Sequence, residues 1–182
     1  MASLTQIAQQ GISSYISEGD RVIDATIGNG HDTLFLAQQV GRNGTVYGFD
    51  VQPQALSNTA ERLKQHQCNR QVQLFLDSHA NLSAHLETEL HHQIKAIMFN
   101  LGYLPGSDKQ CMTQTDSTLK ALTLALQYLH PEGVLSIIVY PGHAGGDEEA
   151  RAVMHWLTSL DSRYQQQIES TPGPVWIKIS QN

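Results

Sequence analysis

Cysteine is almost missing from this chain: only Cys68 and Cys111 in 182 residues, far apart, with no CxxC and no histidine at metal-ligand spacing. That leaves neither a disulfide framework nor a zinc site to build, and both residues read as plain thiols. Basic residues are scarce too. Eleven Lys and Arg against 17 Asp and Glu leave a formal net charge of −6, which argues against broad non-specific nucleic-acid binding through phosphate neutralisation but leaves room for a local basic patch. No stretch reaches the roughly 18 apolar residues of a membrane span, and the opening MASLTQIAQQGISSYISEGD has no basic region followed by a continuous apolar run. A cytoplasmic protein with no membrane contact and no metal is expected. Linkers, repeats and low-complexity segments are absent as well, so residues 1–182, 40% hydrophobic, read as one domain with a full-sized core.

What the chain does have is a regular alternation. Apolar runs at Arg21–Ile27, Gly44–Phe49, Gln71–Leu76, Ile94–Asn100 and Gly133–Tyr140 have the length and the Val, Ile, Leu and Phe content of buried parallel strands. Segments of helical period cover His31–Val40, Pro53–Gln67, His79–His91, Thr113–Leu129 and Asp147–Leu160; Pro53 suits a first helical turn and His130-Pro131 a helix stop. Ile12, Tyr15 and Ile16 read as the buried stripe of an N-terminal helix, and His66, His91 and His92 as solvated helix-face residues. At the end of the chain, Tyr164–Glu169 and Val175–Ile179 flank a Pro-Gly-Pro turn, and strands so closely joined are antiparallel. The expected fold is α/β and Rossmann-like: a seven-stranded, mostly parallel sheet with an antiparallel C-terminal strand, the architecture of class I S-adenosylmethionine-dependent methyltransferases.

The loop in "VIDATIGNGHDTLFLA" separates that reading from a nicotinamide- or flavin-binding Rossmann domain. A dinucleotide site reads GxGxxG, whereas here Gly28 and Gly30 are followed by Thr33. Asp24, at the end of the first strand, would repel a pyrophosphate but attract the ammonium of a methionine moiety. Asp50 closes "TVYGFD" where an acid accepts from ribose hydroxyls, and Asp77 closes the third strand as an acceptor for an adenine amino group. With their neighbours these define the S-adenosylmethionine site: Asp24, Thr26, Gly28, Asn29, Gly30, Asp32, Thr33, Asp50, Val51, Gln52, Asp77, Ser78, His79, Asn100, Leu101 and Gly102. Asp24 and Asp77 have a second reading, as caps of the turns that follow them.

The fourth strand runs into "FNLGYLPGSDK", a loop with the spacing of the Asn-Pro-Pro-Tyr loop of methyltransferases that modify amino nitrogens. A neutral amine is already a good nucleophile toward a sulfonium, so such a site has to hold the lone pair in line and exclude water. Asn100 can accept the amine's hydrogens, Tyr103 offers a face for a base to stack on, and Leu101 and Leu104 supply a dry wall. Attack through a pyrimidine carbon calls for a cysteine nucleophile in a motif loop, and Cys111 lies well downstream.

"DATIGNGHDTLFLA", "YGFD", "FNLGYLPGSDK" and "YPGHAGGDEE" resemble, over nearly the whole chain, the small bacterial YtqB-like family labelled rRNA methylases. The resemblance implies a tRNA methyltransferase that converts 5-aminomethyl-2-thiouridine at wobble position 34 of the anticodon stem-loop to its 5-methylaminomethyl form, and a homodimer. The family's NLGYLPxxDK signature is matched by Asn100 to Pro105 with Asp108 and Lys109. In Tyr140-Pro141-Gly142-His143 a proline stands where a Bacillus member has the first histidine of Tyr-His-Gly-His. Asn100, Tyr103 and His143 are the candidate catalytic residues, His143 as acceptor of the amine proton or as a substrate contact. Tyr103, Leu104, Pro105, Asp108, Lys109, Tyr140, Gly142 and His143 are the candidate substrate residues; Lys109, and with it Arg151, is expected to meet phosphates. The alternatives are methylation of rRNA or of a small amine on the same fold, or a non-catalytic RNA-binding module; a nicotinamide oxidoreductase ranks behind these.

Overall fold

Strand residues alternate between two apolar layers, and that alternation decides where each helix packs. In β4 (Ile94–Leu101), Ile97, Phe99 and Leu101 belong to one layer and Ala96 and Met98 to the other. In β5 (Leu129–Val139), Leu135, Ile137 and Val139 oppose Val134 and Ile138 in the same way. The computed structural model describes residues 3–102, 114–142, 145–170 and 173–181. With β1 (Arg21–Asp24), β2 (Thr45–Asp50), β3 (Val72–Leu76), β6 (Tyr164–Ser170) and β7 (Val175–Gln181), the sheet has seven strands in the order β3-β2-β1-β4-β5-β7-β6. The first five are parallel, and β7 runs antiparallel to both of its neighbours, β5 and β6.

Helices α1 (Leu4–Ser13), α2 (His31–Val40) and α3 (Pro53–Gln65) cover the layer that holds Val22, Met98 and Trp176. The short α4 (Leu82–His85), α5 (Thr115–Tyr128) and α6 (Gly146–Thr158) cover the other. Ser3 starts α1 with a capping box, its hydroxyl accepting from Gln6 N at 3.2 Å while Ser3 N donates to Gln6 Oε1 at 2.8 Å. Pro53 begins α3, where a missing N–H costs nothing.

Most expected elements shift by a residue or two at their ends, and four differ in a way that has a structural cause. The first strand stops at Asp24: Ala25 N still donates to Met98 O (2.9 Å), but Ile27 N donates to Phe49 O (3.1 Å), so the chain crosses from the β4 side to the β2 side. The helix expected over His79–His91 breaks into 3₁₀ turns at His79–Asn81 and Thr88–Leu90 around α4. Tertiary contacts override propensity there, because Leu86 is extended and buried and its carbonyl accepts from the Tyr128 hydroxyl at 3.3 Å. His91 and His92 therefore lie outside any helix, and the His91 ring packs edge-on against Tyr128 with centroids 4.6 Å apart. Strand β5 starts at Leu129 rather than Gly133, through an irregularity in which a Cβ on Gly133 would lie 2.9 Å from Ile94 O. Helix α1 ends at Ser13, so Ile16 is buried just beyond it.

Among the described residues no helix is long and apolar enough to cross a membrane, and no cluster of three His, Cys, Asp or Glu is set to hold a metal.

Candidate functional site

Five parallel strands end at one edge of the sheet, and the chain order reverses between β1 and β4, which is where α/β sheets open a crevice. The β1–α2 loop lines it. Gly28 and Gly30 take φ of +53° and +76°, values that favour glycine. A Cβ on Gly30 would also lie 2.4 Å from Thr59 Oγ1, so α3 can approach only because residue 30 has no side chain. Thr33, in the place of a dinucleotide loop's third glycine, is buried and donates its hydroxyl to Asp24 Oδ2 at 2.6 Å. Thr26 N donates to Asp24 Oδ1 at 3.1 Å, and Thr26 Oγ1 accepts from Asn100 N at 2.6 Å, tying the loop to the end of β4. Asn29 faces α3 instead, its carbonyl taking Arg62 Nε at 2.8 Å.

Two carboxylates are buried here, Asp24 at 1% exposure and Asp32 at 5%. Burial first, then the repulsion of Asp32, pushes the Asp24 carboxyl up to about 7. Burial raises Asp32 as well, against hydrogen bonds from Gln9 and Asn100. No Lys or Arg forms an ion pair with either acid among the described residues. The site is a desolvated pocket lined by two acids.

At the end of β2, Asp50 takes Gly28 N on Oδ2 (2.9 Å) and Gln52 N on Oδ1 (3.0 Å), which fixes its carboxylate. Val51 beside it is 57% exposed, and Leu76, closing β3, is 55% exposed. Asp77 is in its turn-capping arrangement. Its oxygens take Ser78 N (2.7 Å), Asn81 Nδ2 (2.8 Å) and His85 Nε2 (2.7 Å), and the His85 hydrogen bond holds its pKa below the usual range. Ser78 caps the next turn through Ala80 N at 3.2 Å. His79 is buried, with Nδ1 3.1 Å from Ala25 O, and burial lowers its pKa so that the neutral ring donates there.

Asn100, at the end of β4, donates its side-chain Nδ2 to Asp32 Oδ2. Its other end, Oδ1, is buried and has no hydrogen-bond partner among the described residues. Leu101 is fully buried in the layer below, and a Cβ on Gly102 would lie 3.6 Å from the Tyr140 ring. Tyr140 itself is raised by burial, shares a side-chain hydrogen bond with Thr5 and feels the charge of Asp32. Gly142 N donates to Asp147 Oδ1 at 2.9 Å, at the start of α6. Tyr103, Leu104, Pro105, Asp108, Lys109, Cys111 and His143 lie outside the described residues.

The family model described as "Putative rRNA methylase" matches residues 46–172. The chain belongs to this family. Its whole length aligns with a structure from Clostridium thermocellum described as a "putative rRNA-methylase", at 34% identity and a TM-score of 0.94, covering 99% of that chain. A Streptococcus mutans protein described as a "putative methyltransferase", in complex with SAH, superposes at a TM-score of 0.86 and 32% identity, again covering 100% of this chain and 99% of that one. The Arabidopsis thaliana chloroplastic tRNA (mnm(5)s(2)U34)-methyltransferase is 38% identical over 157 residues, 82% of this chain. This chain spans 57% of the length of that relative. These likenesses support the seven-stranded methyltransferase sheet as the family's fold, with β7 as its antiparallel strand.

Three contributors to this crevice carry no signal in the sequence. Gln9 donates to Asp32 Oδ1 at 2.6 Å, Thr5 meets Tyr140, and His85 holds Asp77. A lone Gln or Thr on an amphipathic helix reads as solvated surface, and only the docking of α1 makes it part of a site.

Proposed function

We propose that this protein is an S-adenosylmethionine-dependent tRNA methyltransferase that methylates the exocyclic amine of 5-aminomethyl-2-thiouridine at wobble position 34. The observation that carries the reading is the Asn100 side-chain oxygen, which is buried and, among the described residues, has no partner and stands beside an acid that no Lys or Arg neutralises. A buried amide oxygen without a donor is costly to leave unmade, and an amine N–H satisfies it.

The residues fit the cofactor. Among the described residues the buried pair Asp24 and Asp32 has no Lys or Arg partner, and a methionine ammonium supplies a cation, whereas a pyrophosphate would meet two acids. Asp50, fixed by Gly28 N and Gln52 N, keeps spare lone pairs for ribose hydroxyls. Exposed Val51 and Leu76 suit the face of a purine, with Asp77 and the Ser78–His79 turn at its edge. Thr26, Gly28, Asn29, Gly30, Thr33, Leu101 and Gly102 shape the loop around it. The bound cofactor supplies an electrophilic sulfonium methyl.

On the protein's side, Asn100 Oδ1 accepts one hydrogen of a neutral primary amine and turns its lone pair toward the transfer line, while buried Leu101 helps keep the wall dry. The amine loses a proton on methylation, and His143 is the proposed acceptor, directly or through water. Tyr103 stacks on the base, and Leu104, Pro105, Asp108, Lys109, Tyr140 and Gly142 belong to the substrate side on the family signature. The proposed form is a homodimer in the cytoplasm.

Mass spectrometry of nucleosides from tRNA of cells lacking this protein tests the assignment. The 5-methylaminomethyl form should disappear and the 5-aminomethyl precursor accumulate, and the purified protein with S-adenosylmethionine should reverse both. An unchanged tRNA profile with a methyl group missing from rRNA would move the activity to rRNA.

A further inference from the structure

We infer that Gln9 and Asp32 are positioning residues for methyl transfer, a clamp by which the N-terminal helix dictates which end of the Asn100 amide faces the amine. The inference rests on the reading of Asn100 as the amine's acceptor. An amide is nearly symmetric in shape but not in chemistry: one end donates and the other accepts. Only the accepting end is useful to an amine hydrogen. Asp32 accepts on both oxygens, from Gln9 Nε2 and from Asn100 Nδ2, so the Asn100 Oδ1 is left facing away, buried and without a partner among the described residues.

Asp32 needs holding in its turn. Its other oxygen takes Gln9 Nε2 at 2.6 Å, a donor reaching across from α1. Helix α1 is seated firmly enough to aim that donor. Ala8 and Ile12 are fully buried, and Gly11 lies so close to β7 that a Cβ would come within 2.1 Å of the Trp176 ring. The indole is tied down by Nε1 donating to Ser136 Oγ at 3.0 Å. Meanwhile Asn100 N is held by Thr26 Oγ1, so only the side chain of Asn100 is free to turn. Without the Gln9 donor, the Asp32 carboxylate loses a charge-assisted bond and can rotate about its Cβ–Cγ bond, its charge staying in the pocket, and Asn100 is free to present either end.

The experiment compares Gln9→Ala and Gln9→Met, the second keeping the length and packing of the side chain without its donor. Single-turnover transfer of labelled methyl from S-adenosylmethionine to total RNA from cells lacking this protein is measured, with S-adenosylhomocysteine affinity by calorimetry. Both variants should transfer about 10-fold more slowly and bind S-adenosylhomocysteine within about 2-fold of wild type. In an Asn100→Ala background, Gln9→Met should cost nothing further, because the group it aims is gone. Equal losses in both backgrounds, or no loss in either Gln9 variant while Asn100→Ala is impaired, would overturn the clamp and leave the acceptor reading of Asn100 standing. Full activity of Asn100→Ala would overturn both. A readout without turnover is the Asn100 side-chain NH₂ signal in a ¹⁵N spectrum, identified by its loss in Asn100→Ala. It should be slow to exchange in wild type and about 10-fold faster in Gln9→Met, and equal exchange would also sink the clamp.

Discussion

Replacing Asp24 by Asn should change the stability of the cofactor-free protein in a pH-dependent way. In the folded chain the Asp24 carboxyl is pushed from 3.8 up to about 7, by burial first and by Asp32 second. Between those values the folded state holds a proton that the unfolded state has released, so stability is fully present below about pH 4 and is lost as pH rises toward 7. A shift of about 3 units corresponds to at most ~4 kcal/mol, and because Asp32 shares the repulsion we assign about half, ~2 kcal/mol, to Asp24 itself. Asn removes that loss. It also gives up one of the bonds from Thr26 N and Thr33 Oγ1, at a cost of about 1–2 kcal/mol at every pH. Urea unfolding at pH 4 and pH 8 should therefore find Asp24→Asn less stable than wild type at pH 4, with the deficit cancelled or reversed at pH 8. His79, buried and neutral, acts in the opposite sense: its contribution is present at high pH and lost as pH falls through the unfolded value near 6.5. It is common to both proteins and drops out of the difference. A variant-minus-wild-type difference that does not move with pH would refute the buried-acid account.

Other outcomes follow from the same geometry. Asp50→Ala removes the carboxylate held by Gly28 and Gln52 and should weaken S-adenosylhomocysteine binding by about 30-fold or more in calorimetry; equal affinity would take the ribose away from the end of β2. Gly30→Ala combines φ of +76° with a Cβ 2.4 Å from Thr59 Oγ1 and should cost about 1–3 kcal/mol in urea unfolding, part of which Thr59→Ala in the same chain, by removing that oxygen, should restore. Lys109→Ala should raise KM for tRNA and flatten its salt dependence while S-adenosylhomocysteine affinity stays unchanged; an unaltered salt slope would return Lys109 to the solvated surface.

Strand and helix positions were legible because their signals are local. Apolar residues spaced by two or by 3.6 mark faces that must be buried, and His31–Val40 matches its expected helix to the residue. So were the acids at the ends of the first three strands and the Gly28-x-Gly30 loop, since a parallel sheet brings its strand ends to one edge whatever the details between them. Distant pairings were not legible. The order that puts β7 between β5 and β6, the break in His79–His91 forced by Leu86 and Tyr128, and the turning of Asp77 onto His85 depend on which surfaces meet in three dimensions. The same holds for the links of Asp32 to Gln9, 23 residues away, and to Asn100, 68 residues away. A hydrogen bond is satisfied by whatever donor the packed core brings within about 3 Å, and nothing in the spacing of Gln, Asp and Asn along a chain encodes that approach. The sequence by itself determined a sheet with acids along one edge; the docking of α1 onto Trp176 decided that Asp32, at the start of α2, would meet Gln9 on one oxygen while the other takes Asn100.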